Sequence, residues 1–173
     1  MKTSMTSLDV TAVVAELNRL VLGWRINNVY EPEHGTLLLK LRSPEGLFRW
    51  LLIEEGRRTH LTSYHVGTPG QPRQFCQGLR KRISNAVIDA IIQYDLDRIL
   101  EFHARRGPAL FYLVVEIMDR GNTLLLDNNR IVLLASKYGR LSGRTIGRGR
   151  TYDYPKSRGF DPTTVTVDEL TAA

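Results

Sequence analysis

Cysteine is almost missing from this chain: Cys76 is the only one in 173 residues. A lone thiol closes no internal disulfide and builds no cysteine-based zinc site, so a disulfide-stapled scaffold is excluded. A reducing, cytoplasmic setting is the expectation. No apolar run reaches the roughly 18 residues of a membrane-spanning helix, and no membrane partner is expected. The opening MKTSMTSLDV has no apolar stretch of the kind a secretory leader needs. The G-x-S-x-G, P-loop and G-x-G-x-x-G patterns do not occur. His34, His60, His65 and His103 are scattered over different turns and strands. They lack the i, i+4 helical spacing of zinc motifs, so no metal is expected. Gly143, Gly147 and Gly149 hint at a phosphate loop but precede no helix whose N-terminus could complete it.

What the chain has is positive charge and alternation. Its 24 Lys and Arg against 18 Asp and Glu leave +6. Residues 137–158 hold 7 basic and 1 acidic residue, and residues 159–173 hold 3 acids and no base. A basic balance of this kind fits an acidic partner, nucleic acid first, or serves solubility alone. With 42% hydrophobic and 24% charged residues the chain can bury one ordinary core.

Thr6 with Asp9 three residues on resembles a capping box, with Asp in place of the commoner Glu, and Val10, Val13, Val14, Leu17, Leu20 and Val21 recur at helical spacing up to Gly23. The period then changes. Trp24 to Tyr30, Thr36 to Leu41, Leu47 to Ile53 and Thr59 to Thr62 read as strands with Pro/Gly turns between them. Residues 63–74 read as a loop, and Phe75 to Ile83 as a short helix. Val87 to Tyr94, Arg98 to His103, Leu110 to Met118, Thr123 to Leu126 and Ile131 to Leu134 are again strand-like. Asp127-Asn128-Asn129 is a hairpin turn. The expected fold is α+β: a β-sandwich or flattened barrel of about eight strands flanked by two helices. It divides into a domain over 1–136, a basic Gly/Arg-rich loop over 137–158 closing it, and a linker over 159–173. In that linker Val167 to Leu170 reads as the start of a further helix.

Three clusters carry candidate chemistry. Asp97-Arg98 sits at a turn between two strands. It is either a structural ion pair, or an arginine that grips a phosphate or stacks on a base while the aspartate orients it. Arg80, Lys81 and Arg82 end the short helix. They either suit its dipole or contact phosphates, as Arg140, Arg144, Arg148 and Arg150 of the basic segment would. In Glu116 to Asn122, Gly121 is placed for a positive φ with Asn122 capping the turn, or the acids meet a ligand directly. Asp9 by itself is a first-turn acid favoured by the helix dipole.

Taken in order, these pieces resemble the NFACT family. They are Ser7-Leu8-Asp9-Val10 through Glu16-Leu17, Arg58 to Thr62, Phe75 with Leu79-Arg80-Lys81, and Gln93 with Asp97-Arg98. Glu116 to Asn122 with Leu125-Leu126-Asp127, and Tyr152 with Tyr154-Pro155, complete the series. The resemblance implies a cytoplasmic ribosome quality-control factor that recognises a large ribosomal subunit blocked by peptidyl-tRNA. Such a factor recruits tRNA and supports mRNA-free tailing of the stalled chain, with the peptidyl-transfer chemistry left to the ribosome. No catalytic residue and no cofactor are implied. The first-helix aspartate and the Asp-Arg pair that the family ties to tRNA correspond to Asp9, Asp97 and Arg98. The family's helix-hairpin-helix unit, coiled coil and further domain are not in this sequence, so tailing by this chain alone is not expected.

The same family domain is similar in fold to the N-terminal domain of formamidopyrimidine-DNA glycosylases, which gives an alternative DNA-binding reading. Lys2 and Thr3 stand where those enzymes need a proline amine and a glutamate, so lyase chemistry is not expected. The family's other label, fibronectin-binding protein A, gives a third reading as an adhesin.

Overall fold

The computed structural model describes residues 4–63, 71–118, 120–141 and 143–156. Helix α1 (Ser7–Val21) starts where the sequence predicts: the Thr6 hydroxyl accepts the Asp9 N–H and the Asp9 carboxylate accepts the Thr6 N–H. Val10, Leu17 and Val21 form its buried stripe. It ends at Gly23, whose φ of +80° few other residues adopt readily. Helix α2 (Gln74–Ile83) buries Cys76, Leu79 and Ile83.

Four strands follow α1: β1 (Arg25–Glu33), β2 (Thr36–Arg42), β3 (Phe48–Glu54) and β4 (Arg58–Thr62). Five follow α2: β5 (Val87–Gln93), β6 (Ile99–Arg106), β7 (Ala109–Glu116), β8 (Asn122–Leu126) and β9 (Val132–Ala135). They make one antiparallel sheet in the order β4-β3-β2-β1-β5-β6-β7-β8-β9. The sheet does not close, so β4 and β9 are edges and the barrel form of the expectation is not made. The α+β class and the two flanking helices stand as expected.

The sheet is nearly two sheets. Between β1 and β5 the ladder is short: Arg25 is registered with Val87, and main-chain bonds join Gly23 and Trp24 to Ile88 and Ile26 to Asn85 and Ala86. Both halves nevertheless fill one core: Leu37, Leu39, Leu51 and Ile53 from the first meet Ile88, Phe102, Leu113 and Leu125 from the second. The helices clamp the seam, α1 against β4, β5 and β6, and α2 against β1, β6 and β9.

The second half is buried on both faces. Ile146 and Tyr152 cover its far side, packing with Ile99, Val114, Leu124 and Val132. That is why all five residues of β8 are buried. The covering segment is not wholly a loop: β10 (Gly139–Leu141) and β11 (Arg144–Ile146) form a small hairpin where the sequence shows no periodicity. Three-residue strands are too short to show a period of two. The expected linker and helix start beyond residue 158 lie outside the described residues, as do Lys2, Thr3, His65 and Asp119.

Candidate nucleic-acid interface

The first turn of α1 and the β5–β6 turn meet at one corner of the molecule. The Asp9 Oδ2 atom accepts the Thr6 N–H at 2.6 Å and the Thr6 hydroxyl at 2.7 Å. Both contacts favour the helix and place a negative charge at its positive end.

Gln93, the last residue of β5, ties this turn to the next element. Its Nε2 donates to the Ser7 carbonyl at 3.0 Å and to the Asp97 carbonyl at 2.8 Å. Its Oε1 accepts the Thr11 hydroxyl at 2.7 Å. One side chain thus holds α1 and the Asp97-Arg98 turn in register. Gln93→Ala is expected to cost about 1 kcal/mol in urea titration, since its partners are water-accessible. It should also speed hydrogen exchange at the Asp97 amide, which donates to the Tyr94 carbonyl at 2.7 Å.

The turn itself is strained. Asp95 and Leu96 have φ of +44° and +51°, and for a leucine that conformation costs about 1–2 kcal/mol. Strain of this kind concentrates at functional sites and persists only where its surroundings hold it. Here Gln93 and the Tyr94 ring do so. The Asp97 Oδ1 atom accepts the Arg98 main-chain N–H at 2.6 Å. It therefore does not clamp the guanidinium, contrary to the expected Asp97–Arg98 side-chain pairing. Among the described residues the half-buried Arg98 guanidinium has no ion pair or hydrogen bond.

The C-terminal segment braces the same turn from the other side. Tyr154 stacks flat on Tyr94 with ring centroids 3.5 Å apart. Its hydroxyl donates to Glu101 at 2.5 Å and accepts from Arg130. Glu101, 1% exposed, also takes Arg130 Nη2 at 2.7 Å and lies 2.8 Å from His103 Nε2. Burial pushes the Glu101 carboxyl up, but Arg130, Tyr154 and His103 together outweigh it and hold the group below the usual carboxylate range. Burial and the Glu101 charge push the Tyr154 phenol up, so it stays protonated and keeps donating. Beside this network Glu116 holds Arg144 and accepts the Tyr152 hydroxyl at 2.9 Å.

The structure thus ties the helix turn that bears Asp9 to the turn that bears Asp97 and Arg98 and separates most of the other candidates from them. Arg80 is engaged inside the fold: its Nε donates to the Val29 carbonyl at 2.6 Å and its guanidinium lies over the Tyr30 ring. Lys81 and Arg82 lie by Arg106, whose Nη1 reaches the Lys81 carbonyl at 2.7 Å. That is the opposite end of β6 from Arg98. Arg144 sits near the corner, but its side chain is 10% exposed and committed to Glu116 and the Asp153 carbonyl. Phosphate contact does not suit it, which corrects the expectation for that residue. Arg140, Arg148 and Arg150 are exposed. Gly121 has the expected positive φ, +62°, and Asn122 exchanges two 3.0 Å bonds with the Lys137 main chain. Gln93 stands in the sequence motif without an assigned role, and Arg130 shows no signal at all.

A nine-stranded antiparallel sheet with two helices across its seam defines an α+β domain of the kind found at the N-terminus of the fibronectin-binding protein PavA from Streptococcus pneumoniae. That structure superposes with a TM-score of 0.84 at 28% identity, covering 98% of this chain and 71% of that one. The family described as NFACT N-terminal and middle domains matches residues 6–173, and the chain belongs to that family. Human ribosome quality control complex subunit NEMF is 35% identical over 133 residues, 77% of this chain. The archaeal Rqc2 homolog aRqcH of Methanocaldococcus jannaschii is 32% identical over 167 residues, 94% of this chain. The chain spans 12% of the first of these proteins and 25% of the second. Among the described residues no helix is long and apolar enough to cross a membrane, and no cluster of ligating side chains could hold a metal ion.

Proposed function

We propose that this chain is a non-catalytic tRNA-binding domain of a ribosome quality-control factor. Such a factor acts on large ribosomal subunits that still carry peptidyl-tRNA and supports mRNA-free tailing of the stalled chain. The observation that carries the reading is the corner itself. An arginine without an ion pair or hydrogen bond among the described residues stands on a strained turn, and Gln93 locks that turn to the helix bearing Asp9. Arg98 contacts a tRNA phosphate or base, and Asp97 fixes the main chain beneath it rather than the guanidinium. Asp9 keeps the helix end in place and presents an acceptor toward a ribose hydroxyl. The human relative named as a ribosome quality control complex subunit supports the ribosome quality-control part of the reading.

The test is binding of labelled tRNA against duplex DNA of equal charge, with immobilised fibronectin as a third arm. Arg98→Ala is expected to weaken tRNA binding about tenfold, the effect of removing one charge-assisted hydrogen bond. Its unfolding midpoint should stay close to the wild-type value, because among the described residues the guanidinium makes no hydrogen bond or ion pair. Equal binding to tRNA and DNA that ignores the substitution overturns the reading and leaves a generic basic surface. Tight fibronectin binding with none to tRNA favours the adhesin alternative.

A further inference from the structure

The outer face of the first half-sheet carries a surface that the corner does not use. Lys40 pairs with Trp50, and Arg42 with Phe48, across β2 and β3. These residues face away from the core that Leu39, Leu41 and Leu51 fill. Rings and cations alternate along the face. Lys40 Nζ lies 4.3 Å from the Phe48 ring centroid and 5.7 Å from that of Trp50. Arg42 lies 6.0 Å from Phe48. The Trp50 and Tyr30 rings are 5.6 Å apart, and Arg80 stands 5.1 Å from Tyr30.

Two features mark this face. Phe48 is 49% exposed. Arg25, whose Nη1 donates to the Asn85 carbonyl at 3.2 Å, stands directly opposite Arg42 in the β1–β2 register, and like charges so placed destabilise a strand pair. An anion laid across the strands removes that repulsion. Of the acids flanking these rows, Glu54 at the end of β3 is held by Arg58.

We propose that this face is a stacking platform for single-stranded RNA. Unpaired bases lie on Phe48, and Lys40, Arg42 and Arg25 follow the phosphates. Aromatic rings interleaved with cations on an open sheet are the general chemistry of single-strand recognition. Charge complementarity fits an anionic polymer rather than an apolar peptide. The choice of RNA over DNA rests on the function proposed above; the platform does not. Arg25 is also paired to the start of β5, and the Arg98 turn follows its far end. The two surfaces are therefore separated by the length of a strand, roughly 20 Å.

The test is fluorescence anisotropy with labelled oligouridine of about twelve nucleotides. The oligonucleotide is expected to bind more tightly than duplex RNA of equal charge. Phe48→Ala should weaken binding about tenfold, and Phe48→Tyr should restore it, because the ring is what stacks. Lys40→Ala with Arg42→Ala should lower the slope of log K on log salt by about 0.7 for each phosphate no longer neutralised. Arg98→Ala should leave oligouridine binding unchanged while tRNA binding falls, so the two surfaces fail or succeed separately. Oligouridine binding indifferent to Phe48→Ala, or no tighter than duplex, overturns the platform. Tighter binding of the equivalent DNA strand overturns its assignment to RNA.

Discussion

Gly121→Ala is expected to destabilise the domain by roughly 2–5 kcal/mol, the sum of left-handed backbone strain and overpacking. Gly121 has φ +62° in the turn after β7. A Cβ there would sit inside the main-chain nitrogen of Gly56 and 2.7 Å from its Cα. Gly56 lies in the β3–β4 turn, so this is where the tips of the two half-sheets touch. The neighbour is backbone and cannot swing aside as a side chain would. Lys137 sets the same junction: its Nζ lies 2.9 Å from Glu55 Oε2 and donates to the Arg120 and Gly121 carbonyls at 2.6 and 2.9 Å. A methyl group would therefore pry one half-sheet from the other rather than perturb one loop. Urea denaturation monitored by tryptophan emission reports the change, since Trp24 and Trp50 both belong to the first half. A shift in midpoint smaller than about 1 kcal/mol would show that the tips separate without cost.

How much of this was legible in the sequence depends on the range of each interaction. The helix start was legible because a capping box spans four residues and the apolar stripe repeats within the helix. The strands from β1 to β9 were legible because their alternation is local. Gly121 was legible as a positive-φ turn residue, but not as a contact, since Gly56 is remote in sequence. The corner was half legible. Asp9, Asp97 and Arg98 stood out through a family pattern, whereas composition alone left Asp9 a helix-end acid. That Gln93 joins them is a long-range fact of packing. The pairing of Tyr94 with Tyr154 left no periodic trace, and Arg130 stood behind an ordinary Asp-Asn-Asn turn. The burial of both faces of β8 depends on a covering segment whose own strands are too short to read. Basic residues gave the least: one positive charge looks like another in sequence. Only their partners separate Arg144, engaged with Glu116, from Arg98, engaged with nothing among the described residues.

Arg130→Ala should be strongly pH-dependent. At neutral pH it leaves Glu101 buried without its main countercharge. Breaking a buried pair from one side costs about 3–5 kcal/mol. The lower end applies, because the Arg130 side chain is 31% exposed and water reaches it. The sign of the pH dependence differs between the two proteins. In the wild type Arg130, Tyr154 and His103 hold the Glu101 carboxyl below its unfolded value. Its contribution is therefore present above the unfolded pKa of about 4.3 and is lost as pH falls through the lower folded value. In the variant burial dominates, the folded pKa rises above the unfolded one, and the penalty is relieved as pH falls through that raised value. The difference between the two proteins should accordingly be largest near pH 7 and shrink toward pH 4. Urea midpoints across that interval measure it, and a difference independent of pH would assign the loss to packing of Arg130 on Tyr112 and Tyr154 instead. The consequence reaches the corner as well. Arg130 and Glu101 together hold the Tyr154 hydroxyl, and Tyr154 holds the Tyr94 ring at the base of the strained turn. Loss of Arg130 should therefore weaken tRNA binding at neutral pH although the residue lies behind the surface that carries Arg98.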